Sequence, residues 1–114
     1  MQRRQMTAAC GAMLGVAVSA TSFVATAAAA QPEASALFTA NCMQCHQTQG
    51  IDNAGNIGPV LAGMKSRFPD RNALAAVIFD ETKRNPLTVM PPFGRNLILT
   101  RQQIDTLVDF LYTR

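Results

Sequence analysis

The pentapeptide Cys42-Met43-Gln44-Cys45-His46 gathers two of the chain's three cysteines and its only histidine. Three chemistries use these residue types at this spacing. A redox dithiol also uses Cys-x-x-Cys, but lowers one thiol pKa by opening a helix in a strand–helix–strand unit. A structural zinc site needs four ligands, so a carboxylate or water would have to complete two thiolates and one imidazole. Covalent haem engages all three residues at once. Two thiols spaced by two residues add to the porphyrin vinyl groups, and the following imidazole reaches the iron on the same face. Haem is the best fit, because the pair closes a helical pattern and the chain has no strand alternation of useful length.

Haem iron then takes a sixth ligand or keeps an open site, and with no second histidine any such ligand from this chain is another residue type. Met43 lies inside the attachment loop and cannot reach the opposite face. Met64 follows His46 by 18 residues and stands at helical spacing from Leu61, which suits a core methionine. Met90 occurs in the run Thr88-Val89-Met90-Pro91-Pro92-Phe93-Gly94. The two prolines restrict the backbone and remove donors, which suits holding one side chain at fixed reach. Met90 is therefore the expected sixth ligand. A thioether opposite imidazole raises the reduction potential and closes the iron to small molecules.

The elements that must position these residues are helices. A first helix is expected from Pro32 to Cys45, with Leu37, Phe38 and Cys42 on one face and Ala34, Ala36 and Ala40 permitting close approach of another helix. A second is expected over 70–80, with Asp70 as N-cap and Leu74, Val77 and Ile78 as its apolar face. The last is the most strongly marked. Thr100 and Gln103 form a capping box, and Ile104, Leu107, Val108 and Leu111 follow at helical spacing. Irregular segments at 47–60 and 81–99 are long for so small a domain, and suit wrapping a ligand. Phe38, Phe93, Leu107 and Phe110 are expected in the core. The fold class is all-α with long loops.

Residues 1–30 have the plan of a secretory signal peptide: Arg3 and Arg4, then an apolar stretch, then Ala28-Ala29-Ala30 before Gln31. An uncleaved anchor and a lipoprotein through Cys10 fit less well. The segment is rich in alanine rather than leucine, and almost no apolar stretch precedes Cys10. Cleavage discards Cys10 and leaves a domain over 31–114 that is exported to the periplasm with no membrane attachment. Loss of Arg3 and Arg4 leaves eight basic residues against seven acidic ones, so the +3 of the whole chain falls to +1. That balance argues against nucleic acid as a partner. A domain of this size has a marginal core of its own, and a cofactor would act as its staple.

The run "NPLTVMPPFGRNLILTRQQIDTLVDFLYTR", with "CMQCH" and "GNIGPVLAGM" before it, resembles the SoxX family over nearly all of 31–114. These are the small monohaem c-type cytochromes of bacterial thiosulfate oxidation. The resemblance implies a class I cytochrome c fold, one covalent haem c on Cys42 and Cys45, and His46 and Met90 as axial ligands. It also implies that the Pro59 carbonyl meets Nδ1–H of His46, the alternative being a proline that merely ends a loop. The implied partner is a SoxA-like cytochrome, which joins thiosulfate to a cysteine of the SoxYZ carrier protein. A SoxX-like chain accepts the electrons released and passes them to a small c-type cytochrome. It implies no catalytic residue here, since the reactive cysteine belongs to SoxA. The competing function is a free-standing soluble carrier that feeds a terminal oxidase. Lys65, Arg67, Arg71, Lys83, Arg84 and Arg95 are candidates for haem propionates or an acidic partner, although scattered charges are ordinarily solvated surface.

Overall fold

The computed structural model describes residues 30–114. The signal-peptide expectation therefore lies, but for Ala30, outside the described residues. Four α-helices follow in order: α1 (Ala30–Asn41), α2 (Met64–Arg67), α3 (Arg71–Asp80) and α4 (Arg101–Leu111). A 3₁₀ turn, Glu81–Lys83, extends α3. Among the described residues there is no strand, and no helix long and apolar enough to cross a membrane.

Local signals set three of the helix boundaries. The Asp70 carboxylate accepts the Asn72 N–H at 2.9 Å and so starts α3. Thr100 and Gln103 make the expected capping box, with Gln103 N–H to Thr100 Oγ1 at 3.1 Å and Thr100 N–H to Gln103 Oε1 at 2.9 Å. The third boundary departs from expectation. Helix α1 ends at Asn41, four residues short of Cys45. The Asn41 amide donates to the Leu37 carbonyl at 2.9 Å, and the Cys42 and Met43 N–H groups both converge on the Phe38 carbonyl. That convergence ends the regular ladder, so the attachment motif is a turn and not helix.

Helix α4 is the spine of the core. Its Ile104, Leu107, Val108, Phe110 and Leu111 are all buried, and it packs on both α1 and α3. Phe38 of α1 meets Phe110 with ring centroids 5.6 Å apart. Of the three alanines expected to admit a neighbouring helix, Ala34 is buried while Ala36 and Ala40 are exposed. Helix α4 covers the Ala34–Phe38 face, and the other two alanines sit off it.

Packing outweighs charge in this frame. Arg71 of α3 pairs with Asp105 and Asp109 of α4, at 3.3 and 2.5 Å, but all three side chains are substantially exposed. Such pairs contribute about 1 kcal/mol at most. Complete burial of Phe38 alone contributes ~1.5–3 kcal/mol. The last residues close the domain: Tyr112 Oη donates to the Phe68 carbonyl at 2.6 Å, and Gly63 N–H donates to the Arg114 carbonyl at 2.9 Å.

Candidate functional site

The turn after α1 carries Cys42, Cys45 and His46 as one hydrogen-bonded unit. Cys45 N–H and His46 N–H both donate to the Cys42 carbonyl, at 3.1 and 2.9 Å. The following loop then runs back along this turn. Gly55 N–H donates to Met43 O, Gly58 N–H to Cys45 O and Leu61 N–H to Gln47 O, each at 2.8 Å. Buried Thr48 adds a bond from its hydroxyl to the Leu61 carbonyl at 2.7 Å. The loop expected from sequence at 47–60 is thus a fixed wall beside the attachment turn.

That wall sets the histidine. His46 Nδ1 lies 2.8 Å from the Pro59 carbonyl oxygen, as the sequence resemblance implied. A carbonyl only accepts, so Nδ1 carries the hydrogen and Nε2 keeps its lone pair for a metal. The same bond fixes the ring orientation. Gly58 lies directly against the ring. A Cβ there would come within 2.3 Å of Cε1, 2.7 Å of Nδ1 and 2.9 Å of Nε2. Only glycine fits beside an imidazole held this closely.

The two thiols are free and half-buried. Burial first, and the neighbouring Cys45 second, push the Cys42 thiol up to about 12. A redox dithiol needs the opposite, a thiol with lowered pKa at a helix start, whereas this pair follows a helix end. The zinc reading fares no better. Among the described residues, no group of three His, Cys, Asp or Glu side chains is arranged to hold a metal ion.

Met90 is half-buried against the core, two residues after Thr88, whose hydroxyl accepts the Met90 N–H at 3.1 Å. Met64 is 3 % exposed and opens α2, and Arg67 Nη1 lies 3.3 Å from its sulfur. Met64 is thus a core residue, in keeping with its expected place. The segments next to Gly58 and Met90 share one anomaly. Ile57, Val60, Leu87 and Val89 are 53–91 % exposed, so each segment carries bare apolar side chains. Two thiols, an imidazole with Nε2 free, a thioether and apolar side chains on both loops are the groups a covalent porphyrin requires.

A family model described as Cytochrome c matches residues 32–114. The chain belongs to the cytochrome c family. Its all-α architecture is that of a class I cytochrome c, and membership brings covalently bound haem c and electron transfer. No curated protein matches the chain significantly.

Several side chains of this cytochrome were not legible as functional in the sequence. Four of the six basic candidates are committed internally: Arg67 donates to the Val60 carbonyl, Arg71 pairs with α4, Arg84 with Glu81 at 2.9 Å and Arg95 with Asp80 at 2.9 Å. Lys65 and Lys83 are exposed. Asp80 is the residue that sequence reasoning missed. It is 3 % exposed, and its one available signal was Thr82 two residues on, the pattern of a local side-chain turn.

Proposed function

We propose that this cytochrome is the electron-transfer subunit of a SoxAX-type L-cysteine S-thiosulfotransferase, exported to the periplasm by residues 1–30. It would carry one haem c, held by Cys42 and Cys45, with His46 and Met90 to ligate the iron. The observation that carries the reading is the run from Asn85 to Arg114, which resembles SoxX and forms both the Met90 segment and α4. Cysteine usage supports it as well. With Cys10 in the leader and Cys42 and Cys45 as thioethers, the exported chain has no thiolate to attack sulfur.

Haem supplies one-electron chemistry at a potential raised by the thioether ligand. The remaining work falls to the chain. Pro59 orients His46, Gly58 makes room for its ring, and Met90 would offer its thioether to the iron when haem is bound. Joining thiosulfate to the SoxYZ cysteine forms a sulfur–sulfur bond and releases two electrons and the thiol proton. In the proposal, the SoxA-like subunit carries out that bond formation. This chain takes the electrons singly and hands them to a small c-type cytochrome.

Two experiments test the assignment. The native exported protein is expected to co-purify with a second cytochrome that bears a reactive cysteine. Purified alone, it is expected to form no conjugate when incubated with thiosulfate and the carrier thiol, as read by intact mass. Conjugation needs a polarisable nucleophile of depressed pKa, and this chain has none to offer. Conjugate formed by this chain alone overturns the proposal. Isolation as a lone cytochrome that reduces a terminal oxidase favours the free-standing carrier instead.

A further inference from the structure

Met90 hangs on a segment whose two ends are fastened at one place. Downstream, residues 92–99 fold on themselves. Asn96 N–H donates to Pro92 O at 2.9 Å, and the Ile98 and Leu99 N–H groups share Phe93 O at 2.9 and 3.0 Å. Phe93 and Leu99 are buried. Leu97 takes a left-handed conformation with φ 58°, which persists in such a residue only where its surroundings over-determine it. The block rests on the end of α3. The Phe79 carbonyl accepts the Gly94 and Arg95 N–H groups at 3.1 and 3.2 Å. Contact is so close that a Cβ on Gly94 would fall 1.9 Å from Phe79 Cδ2.

Upstream, the chain of bonds leads back to the same turn. Met90 N–H reaches the Thr88 hydroxyl, Thr88 N–H reaches Asn85 O at 3.1 Å, and Asn85 N–H reaches Glu81 O at 2.8 Å. Between the two ends sits Asp80. Its side chain is 1 % exposed and accepts from Thr82 N–H at 3.2 Å, from the Thr82 hydroxyl, and from Arg95 Nη1 at 2.9 Å. Arg95 is 52 % exposed, so the pair joins a buried anion to a cation at the surface. Removal of that cation leaves a buried charge uncompensated, which is far costlier than loss of a surface pair.

We propose that Asp80 and Arg95 are positioning residues for Met90: their pair fastens the Met90 segment to the end of α3 and so holds the thioether on the iron. The proposal rests on the reading of Met90 as an axial ligand. The Thr82 hydroxyl, and then Arg95, hold the Asp80 carboxyl below the usual carboxylate range, so the fastener is charged at neutral pH. Methionine leaves the iron when its segment opens locally, and the fastener sets how often that happens.

The test uses the ferric holoprotein, with two readouts specific to methionine on the iron. One is the weak red-end charge-transfer band of a thioether on ferric haem. The other is the rate of cyanide binding, which requires methionine to be off. Arg95→Leu is expected to raise that rate about tenfold, equivalent to ~1.4 kcal/mol of lost closure. Asp80→Asn acts in the same direction, and Arg95→Lys recovers most of the closure. Arg71→Leu, which cuts the α3–α4 pairs, serves as control and leaves the rate near wild type. Should Arg95→Leu yield too little holoprotein, Arg95→Gln provides the same comparison. A rate in Arg95→Leu or Arg95→Gln no higher than in Arg71→Leu overturns the fastener, as does failure of Arg95→Lys to recover closure. A band that survives Met90→Leu overturns the ligand reading itself, whereas a band lost there with a cyanide rate unmoved by Arg95→Leu overturns the fastener alone.

Discussion

Met90→Leu is expected to lower the reduction potential of the holoprotein by on the order of 0.2 V and to open the ferric iron to cyanide. Leucine fills nearly the same volume, so the core beside residue 90 loses little packing. What it loses is the sulfur lone pair. A thioether favours the ferrous state, and its removal leaves the iron with His46 and an open or water-filled position. The control is Met64→Leu. Met64 is a buried methionine with its sulfur beside Arg67, so that substitution should cost less than about 1.5 kcal/mol of stability and leave the haem spectrum unchanged. Potentiometry and cyanide titration of the two variants decide the assignment. Reversal of the two phenotypes places the ligand at Met64.

Gly58→Ala is expected to reduce accumulation of correctly ligated holoprotein about tenfold or more, an effect typical of losing the group that orients a metal ligand. The added methyl would start 2.3 Å from His46 Cε1, far inside van der Waals contact. The imidazole has to swing away, and the 2.8 Å bond from Nδ1–H to the Pro59 carbonyl breaks as it does. The backbone gives little relief, because Gly58 N–H is itself bonded to the Cys45 carbonyl at 2.8 Å. Haem remains tethered through both cysteines, so the defect should appear as loss of the six-coordinate low-spin spectrum in whatever holoprotein forms. A Gly58→Ala protein with wild-type yield and spectrum contradicts the role given to this glycine.

What the sequence disclosed follows from how far each signal reaches along the chain. Asp70 before α3 and Thr100 with Gln103 before α4 are contacts over two or three residues, legible without knowing the fold. The apolar face of α4 was equally plain, because one stripe of a helix is buried against two neighbours. The end of α1 was not. Cys42 N–H still bonds four residues back to Phe38, so the periodicity continues past the point where the Asn41 side chain and Met43 N–H end the helix. Helix α2 was missed for a related reason: it is four residues long and starts from Gly63 in a left-handed conformation, with no capping side chain.

Within the site, Cys-x-x-Cys-His stood out because it sets two thiols and an imidazole within five positions. The Pro59 contact needed a relative's pattern, as 13 residues separate it from His46. Asp80 had only Thr82, two residues on, to mark it. A carboxylate at a helix end is ordinarily solvated, and its burial depends on Arg95, 15 residues away across a proline-rich loop. Local rules fail where two distant charges must meet, and here they meet beside the Met90 segment.

The central claim is that this chain receives the electrons of thiosulfate conjugation without performing it. The most direct measurement mixes the oxidised cytochrome with thiosulfate and the carrier-protein thiol in the absence of air, and follows the reduced-haem absorption band. With this chain alone, the band is expected to stay absent. When a SoxA-like subunit is added, the band should rise together with conjugate, at two electrons per conjugate shared among the haems present. Conjugate that accumulates with the SoxA-like subunit while the haem of this chain stays oxidised would contradict the account.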